Sequence, residues 1–210
     1  VASDAFDRVS DLVRAGMPLS EAFRAMRIEL LAQGADEVPY LVGGAGQGGY
    51  ADVISPPSER PLATGDVLMF DTGACFDGYF CDFDRNYAIG SADDAARSAY
   101  RTLYEATEAA LNIARPGSTC ADLYASMVSV IGDDGGGIGR LGHGLGMQLT
   151  ELPSHMASDK TVLQAGMVLT LEPSMVVGPG RMMVHEENIV IREDGARLLS
   201  RRAPADLPVI

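Results

Sequence analysis

Four carboxylates and one histidine stand in this chain where ordinary surface chemistry does not explain them. The stretch VLMFDTG (Val67–Gly73) runs four apolar residues straight into Asp71. A carboxylate carried alone into a core is strongly unfavourable unless something compensates its charge. The same device recurs further on. GDVLMFD ends on Asp71 and GMVLTLE ends on Glu172, each six residues after a glycine, Gly65 or Gly166. A turn and a further acid follow each: Asp82 after the first, Glu186 or its neighbour Glu187 after the second. Four carboxylates converging in one core are untenable without cations. Two divalent ions would bring the set near neutrality. His143, framed by glycines in GHGLG (142–146), adds a nitrogen donor where the backbone can approach closely. A lone histidine is more often structural, but this frame and the carboxylate set argue for a ligand. Paired divalent ions polarise a carbonyl and acidify water, so the chemistry implied is hydrolysis. A carboxylate-dominated set suits Mn²⁺, with Co²⁺, Fe²⁺ or Zn²⁺ also compatible.

The elements that must position these residues follow from periodicity. Helices are predicted over 1–15, 18–34, 91–114 and 118–131. In 91–114 Ala95, Ala99, Leu103, Ala106, Ala110 and Ile113 mark one face, and Ser91 with Asp94 resembles a capping box. Strands are predicted at 67–71, 79–83, 86–89, 167–172, 182–186 and 189–192. GGAGQGGY (43–50) matches a glycine-rich dinucleotide pattern, but SPP follows it where a helix should start, so it reads as a loop. The turns GMPLSE and GSTCAD each precede a helix, then a glycine, a strand and an acid. The chain therefore reads as a duplicated helix–hairpin unit with pseudo-twofold symmetry.

Composition narrows the partners. A net charge of −13 disfavours nucleic acid and anionic membrane surfaces, which need a basic face. No apolar run approaches the ~18–20 residues that span a bilayer. Hydrophobic residues make up 47% of the 210, enough for one domain with a real core. The three cysteines, Cys75, Cys81 and Cys120, form no CxxC and read as small buried hydrophobes in a reducing compartment. With no basic, apolar leader at the start, a cytoplasmic location is expected.

Asp71-x-Gly73 with Asp82 beyond it, GHGLG, Leu171-Glu172-Pro173 and His185-Glu186 before ENIVI together resemble the creatinase, prolidase, aminopeptidase P and methionine aminopeptidase superfamily. The resemblance covers nearly the whole chain. It implies the α/β (α+β) pita-bread fold, two pseudo-symmetric helix–hairpin halves around a curved antiparallel sheet. It also implies one catalytic domain over 1–210, as the C-terminal part of a longer protein, and a possible homodimer. The family spacing places the last carboxylate ligand nine residues before Gly195, which selects Glu186 over Glu187. By resemblance, Asp71 chelates one ion, Asp82 and Glu186 bridge, and His143 and Glu172 hold the other. The resemblance further implies that Glu172 would take a proton from the metal-bound water, that the hydroxide left would attack an amide carbonyl, and that Tyr79 and Arg85 pack near the site.

The chain also departs from that family. Relatives that cleave peptides carry two further histidines; the matching positions here are Ile54 and Thr150. A threonine hydroxyl can hydrogen-bond substrate but cannot shuttle a proton at neutral pH. Asp84 stands where the family has threonine or serine, and reads as a salt-bridge partner of Arg85, a surface charge, or an acid near the metals. His155 is a candidate to fill the vacated space. Thr150, His155 and Asp84 are thus the candidate substrate-binding residues. The leading expectation is an Xaa-Pro aminopeptidase or prolidase type hydrolase acting on a small peptide. A metal-dependent hydrolase or lyase of an amide-containing or other small metabolite, and a non-catalytic member, are the alternatives.

Overall fold

The chain opens with two short consecutive helices. In the computed structural model, which describes residues 1–54, 57–132 and 139–210, α1 (Ala2–Asp7) and α2 (Val9–Leu12) replace the single expected helix. They part at Arg8, whose N–H bonds the Ala5 carbonyl, three residues back rather than four. The next helix, α3 (Leu19–Ala32), buries Ala22, Phe23, Met26 and Leu30 along one face. It stops at Gly34 (φ +102°): the Gly34 and Ala35 N–H groups return to Leu31 and Leu30, a Schellman closure.

The glycine-rich stretch expected to be a loop is mostly strand. β1 (Glu37–Gln47) runs through Gly43, Gly44 and Gly46, antiparallel to β2 (Asp66–Phe76). A Cβ on Gly43 would collide with the Met69 carbonyl, so the missing side chain lets two strands approach. β2 buries Val67, Leu68, Met69 and Phe70 completely, which explains its unbroken apolar run. β3 (Tyr79–Phe80) and β4 (Phe83–Ala88) complete this sheet, both pairing with β2. The chain breaks between them at Cys81–Asp82, inside the expected strand 79–83. Next, α4 (Asp94–Ile113) is capped by Asp93, whose carboxylate accepts from the Ala96 N–H at 2.7 Å, and not by the expected Ser91–Asp94 box.

The second half opens with α5 (Cys120–Ile131), capped reciprocally by Thr119 and Asp122. Its strands are β5 (His143–Gly144), β6 (Glu151–Ser154), β7 (Val168–Leu171), β8 (Ser174–Gly178), β9 (Arg181–Val184), β10 (Glu187–Arg192) and β11 (Gly195–Leu198). Five form an antiparallel sheet in the order β11-β10-β7-β5-β6, and β8 pairs with β9.

The duplication is visible bond by bond. Leu62 N–H bonds Met17 O, and Leu163 N–H bonds Ser118 O, both at 2.8 Å. Leu19 N–H reaches Arg60 O, as Cys120 N–H reaches Thr161 O. Gly65 and Gly166, at φ +92° and +95°, bond Ile89 O and Ile191 O. Asp71, midway along β2, and Glu172, just past the end of β7, therefore occupy equivalent places after equivalent glycines. Phe23 stacks edge-on against Phe70 in the first half, while Leu123 and Met127 of α5 pack with Leu169 and Leu171 in the second. Cys120 is buried, but Cys75 and Cys81 are only half-buried, and all three are free thiols. Among the described residues, no helix is long and apolar enough to cross a membrane.

Candidate metal centre

The middle of β2, the end of β7, the break before β4 and the turn after β9 converge on one cleft of about 360 Å³. Asp71, Asp82, Asp84, His143, Glu172 and Glu186 all line it. One donor atom from each of Asp82, His143 and Glu186 lies within 4.8 Å of the others.

Most of these residues are held from behind, Asp82 through its backbone. His143 Nδ1 lies 2.8 Å from the Gly144 carbonyl, which can only accept, so Nδ1 carries the hydrogen. Its Nε2 then faces Asp82 Oδ2 at 3.3 Å and Glu172 Oε2 at 3.6 Å. Asp82 sits outside any ladder, and Asn188 of β10 substitutes for one: its amide oxygen accepts from the Asp82 N–H at 3.0 Å and its amide nitrogen donates to the Asp82 carbonyl. Tyr40 donates its hydroxyl to Asp71 Oδ2 at 3.2 Å. Arg140 Nε donates to Glu172 Oε1 at 3.2 Å.

The electrostatics show what the cleft lacks. Burial, then repulsion from Asp82 and Asp84, pushes Asp71 well above the usual carboxylate range. Burial and the charges of Asp82, Glu172 and Asp71 do the same to Glu186. Burial raises Asp82 and Glu172 too, opposed at each by His143 and Arg140. Burial would lower the His143 pKa, but the bond to Asp82 and the charge of Glu172 raise it overall. Asp71 Oδ1 and Glu186 Oε1 are buried with no hydrogen-bond partner. Orphaned carboxylate oxygens in a cleft that also receives His143 Nε2 fit divalent cations: the donor set is oxygen-rich, convergent and short of positive charge.

The neighbouring acid Glu187 is otherwise engaged. Its Oε2 accepts from Arg85 at 3.0 Å and from Ser200 at 2.6 Å, and its Oε1 from the Ala203 N–H at 2.8 Å. Glu186 is the one presented to the cleft, as the alternation of adjacent side chains expects. Arg85 spends its guanidinium on Glu187 and on the carbonyls of Asp84, Glu186 and Arg201. It makes no salt bridge to the Asp84 carboxylate, which is neither paired with Arg85 nor at the surface. Burial lifts Asp84 to about 8 against the pull of Arg85.

Ile54 and Thr150 also line the cleft, at its mouth with Leu149 and Tyr40. His155 does not reach it. The ring is fully buried and fills the space beside Gly142, against the Thr170 carbonyl, and burial lowers its pKa to about 4. Tyr79 is 61% exposed and lies outside the cleft. His185 turns away, edge-on to Tyr100 and Tyr104. Sequence reasoning missed Tyr40, Arg140 and Asn188. Arg140 alone left a signal, a cation three residues before His143 in a markedly acidic chain.

The sequence profile of metallopeptidase family M24 matches residues 1–193. The chain belongs to this family. It is 33% identical over 194 residues to a probable dipeptidase PepE of Mycobacterium tuberculosis, covering 90% of this chain and 51% of the relative. It is 33% identical over 147 residues to an Xaa-Pro dipeptidase of Pyrococcus furiosus, covering 69% of this chain and 42% of the relative. The chain thus spans about half the length of the curated relatives it matches. The dipeptidase PepE structure from Mycobacterium ulcerans superposes with a TM-score of 0.91 at 30% identity, over 99% of this chain and 57% of that one. A methionine aminopeptidase from Rickettsia prowazekii shares the fold, with a TM-score of 0.82 at 18% identity over 95% and 92% of the two chains. The M24 architecture is therefore the pita-bread arrangement that the internal repeat builds.

Proposed function

We propose that this chain is the catalytic unit of a metal-dependent peptidase of the Xaa-Pro dipeptidase type. Two divalent ions, Mn²⁺ in the first instance, would be held by Asp71, Asp82, His143, Glu172 and Glu186. The observation that carries this reading is the convergence of Asp82, His143 and Glu186 beside the orphaned oxygens of Asp71 and Glu186. Such ions supply Lewis acidity, polarising an amide carbonyl and making water more acidic. The residues of the chain do the rest. Glu172 keeps 18% of its side chain exposed, against 8% for Asp82 and 1% for His143, so its carboxylate can take the proton of the attacking water. Arg140 holds its other oxygen and keeps it oriented. His143, fixed by Gly144, keeps Nε2 directed into the cleft. The Thr150 hydroxyl can give one hydrogen bond to the substrate.

A second reading has its own support. Neither Ile54 nor Thr150 can carry a proton at neutral pH, and both stand at the cleft where peptide-cleaving relatives have histidine. Loss of one such electrostatic group commonly costs ~10²–10³ in rate. That favours hydrolysis of a C–N bond in a small non-peptide amide. The test is a panel of Xaa-Pro dipeptides and small amides with Mn²⁺- or Co²⁺-loaded protein. Chelator-sensitive release of free proline is expected. Metal-dependent turnover confined to non-peptide amides would replace the first reading by the second, and no turnover with any substrate would oppose both.

A further inference from the structure

We propose that Asp84 is an additional carboxylate donor to the divalent metal centre, beside Asp71. The inference rests on the metal-binding reading above and extends its ligand set to a position where relatives carry a hydroxyl side chain.

The argument begins with strand register. Asp71 on β2 pairs directly with Asp84 on β4, so both side chains leave the ladder on one face. Directly opposed residues have Cβ atoms about 4.5–5.5 Å apart, and like charges there are destabilising. The two carboxylates are also presented in the same way. Asp71 has one oxygen held by Tyr40, at 3.2 Å, and the other buried without a partner. Asp84 has Oδ1 held by the Asn86 amide at 3.1 Å, and Oδ2 buried without a partner. Asp84 is 1% exposed and lines the same cleft. Asn86 is itself fixed by the Tyr50 hydroxyl and the Val184 carbonyl, so the Asp84 carboxylate is anchored rather than free to turn away.

The nearest cation does not neutralise it. Arg85 directs its guanidinium to Glu187 and to backbone carbonyls on the far side. Arg140 is committed to Glu172. A buried, anchored carboxylate with one open oxygen, opposite another of the same kind, needs positive charge at the point both face. Two divalent ions with Arg140 carry charge enough to compensate five carboxylates, Asp84 included.

The test compares wild-type protein with Asp84→Asn and Asp84→Thr, the latter supplying the hydroxyl relatives have. Mn²⁺ binding is titrated calorimetrically, and the visible spectrum of the Co²⁺-loaded forms reports donor number. The expected result is Mn²⁺ affinity at least ~10-fold weaker in both variants. A changed Co²⁺ spectrum should accompany it, with folded metal-free variants by near-ultraviolet circular dichroism. Unchanged affinity, or weaker affinity with an unchanged spectrum, would remove Asp84 from the ligand set while leaving the metal-centre reading intact. Wild-type protein that binds no Mn²⁺ would overturn both. A crystal structure of Mn²⁺-loaded wild type decides the point without any variant. An Asp84 oxygen within ~2.0–2.6 Å of an ion supports the assignment, and one beyond bonding distance contradicts it.

Discussion

His143 Nε2 stands 3.3 Å from Asp82 Oδ2, while the opposite ring nitrogen is tied to the Gly144 carbonyl. The remaining ring nitrogen is thereby aimed at a carboxylate oxygen. Two acceptors facing each other at that distance require a proton or a metal ion between them. The same need is repeated around the cleft, at Asp71 and at Glu186.

Protons and metal ions should then compete for one set of atoms. Asp71, Asp84, Glu186 and His143 all hold protons to higher pH than usual in the metal-free protein. Binding of Mn²⁺ near neutrality is expected to release protons, and its affinity to rise with pH. Calorimetry in buffers of different ionisation enthalpy measures this directly. No net proton release would mean that the carboxylates are already ionised and otherwise compensated.

The stability of chelated protein carries the same signature. A carboxyl whose pKa is raised by folding stabilises the fold at low pH, and that contribution is lost as pH climbs through the raised value. For Asp84 the loss runs from about 4 to about 8. His155 and His185, both lowered by burial, act in the opposite direction but only below about 6.5. Between pH 6.5 and 8 the raised carboxyls and His143, whose pKa is also raised, all act in the same direction. Metal-free protein should lose Tm across that window, at about 2–4 °C per kcal/mol for a chain of this size, and Mn²⁺ should abolish the loss. Thermal melts with and without chelator check it.

Asn188 should matter to the metal without touching it. Its side-chain amide makes both hydrogen bonds that fix the Asp82 backbone across a gap in the strand order. Asn188→Ala is expected to weaken Mn²⁺ binding by ~10–100-fold, as support-residue losses do, and to destabilise the fold by roughly 1–3 kcal/mol. Asn188→Asp, which keeps the acceptor but loses the donor, should show an intermediate effect. Calorimetric titration and denaturant melts separate the two contributions.

Much of this site was legible because the sequence states it twice. The matching glycine, strand and acid around Asp71 and Glu172 survive as matching hydrogen bonds, and the family spacing to Gly195 selected Glu186 over Glu187. What escaped was whatever depends on a partner distant in sequence. The interruption at Asp82 makes sense only with Asn188, more than one hundred residues away. The glycines of β1 read as a loop until Met69 lies across them. His155 and Tyr79 had suitable chemistry nearby in sequence, but one is packed behind Gly142 and the other faces solvent.

The two departures at Ile54 and Thr150 can be reversed. Both positions line the cleft, so a histidine placed there would face substrate. If the proposed peptidase chemistry is right, Ile54→His with Thr150→His should raise kcat/KM on Xaa-Pro dipeptides by roughly 10²–10³-fold. Steady-state kinetics on the metal-loaded variants tests this. An unchanged peptide rate, with loss of activity on small amides, would favour the non-peptide reading.

The most direct measurement is metal content. Purified protein incubated with excess Mn²⁺, desalted and analysed by mass spectrometry should retain two ions per chain, and His143→Ala with Asp82→Asn should retain none. Wild-type protein that binds no ion under those conditions, or a double variant that binds as many as wild type, would contradict the claim that these side chains form a paired-cation site.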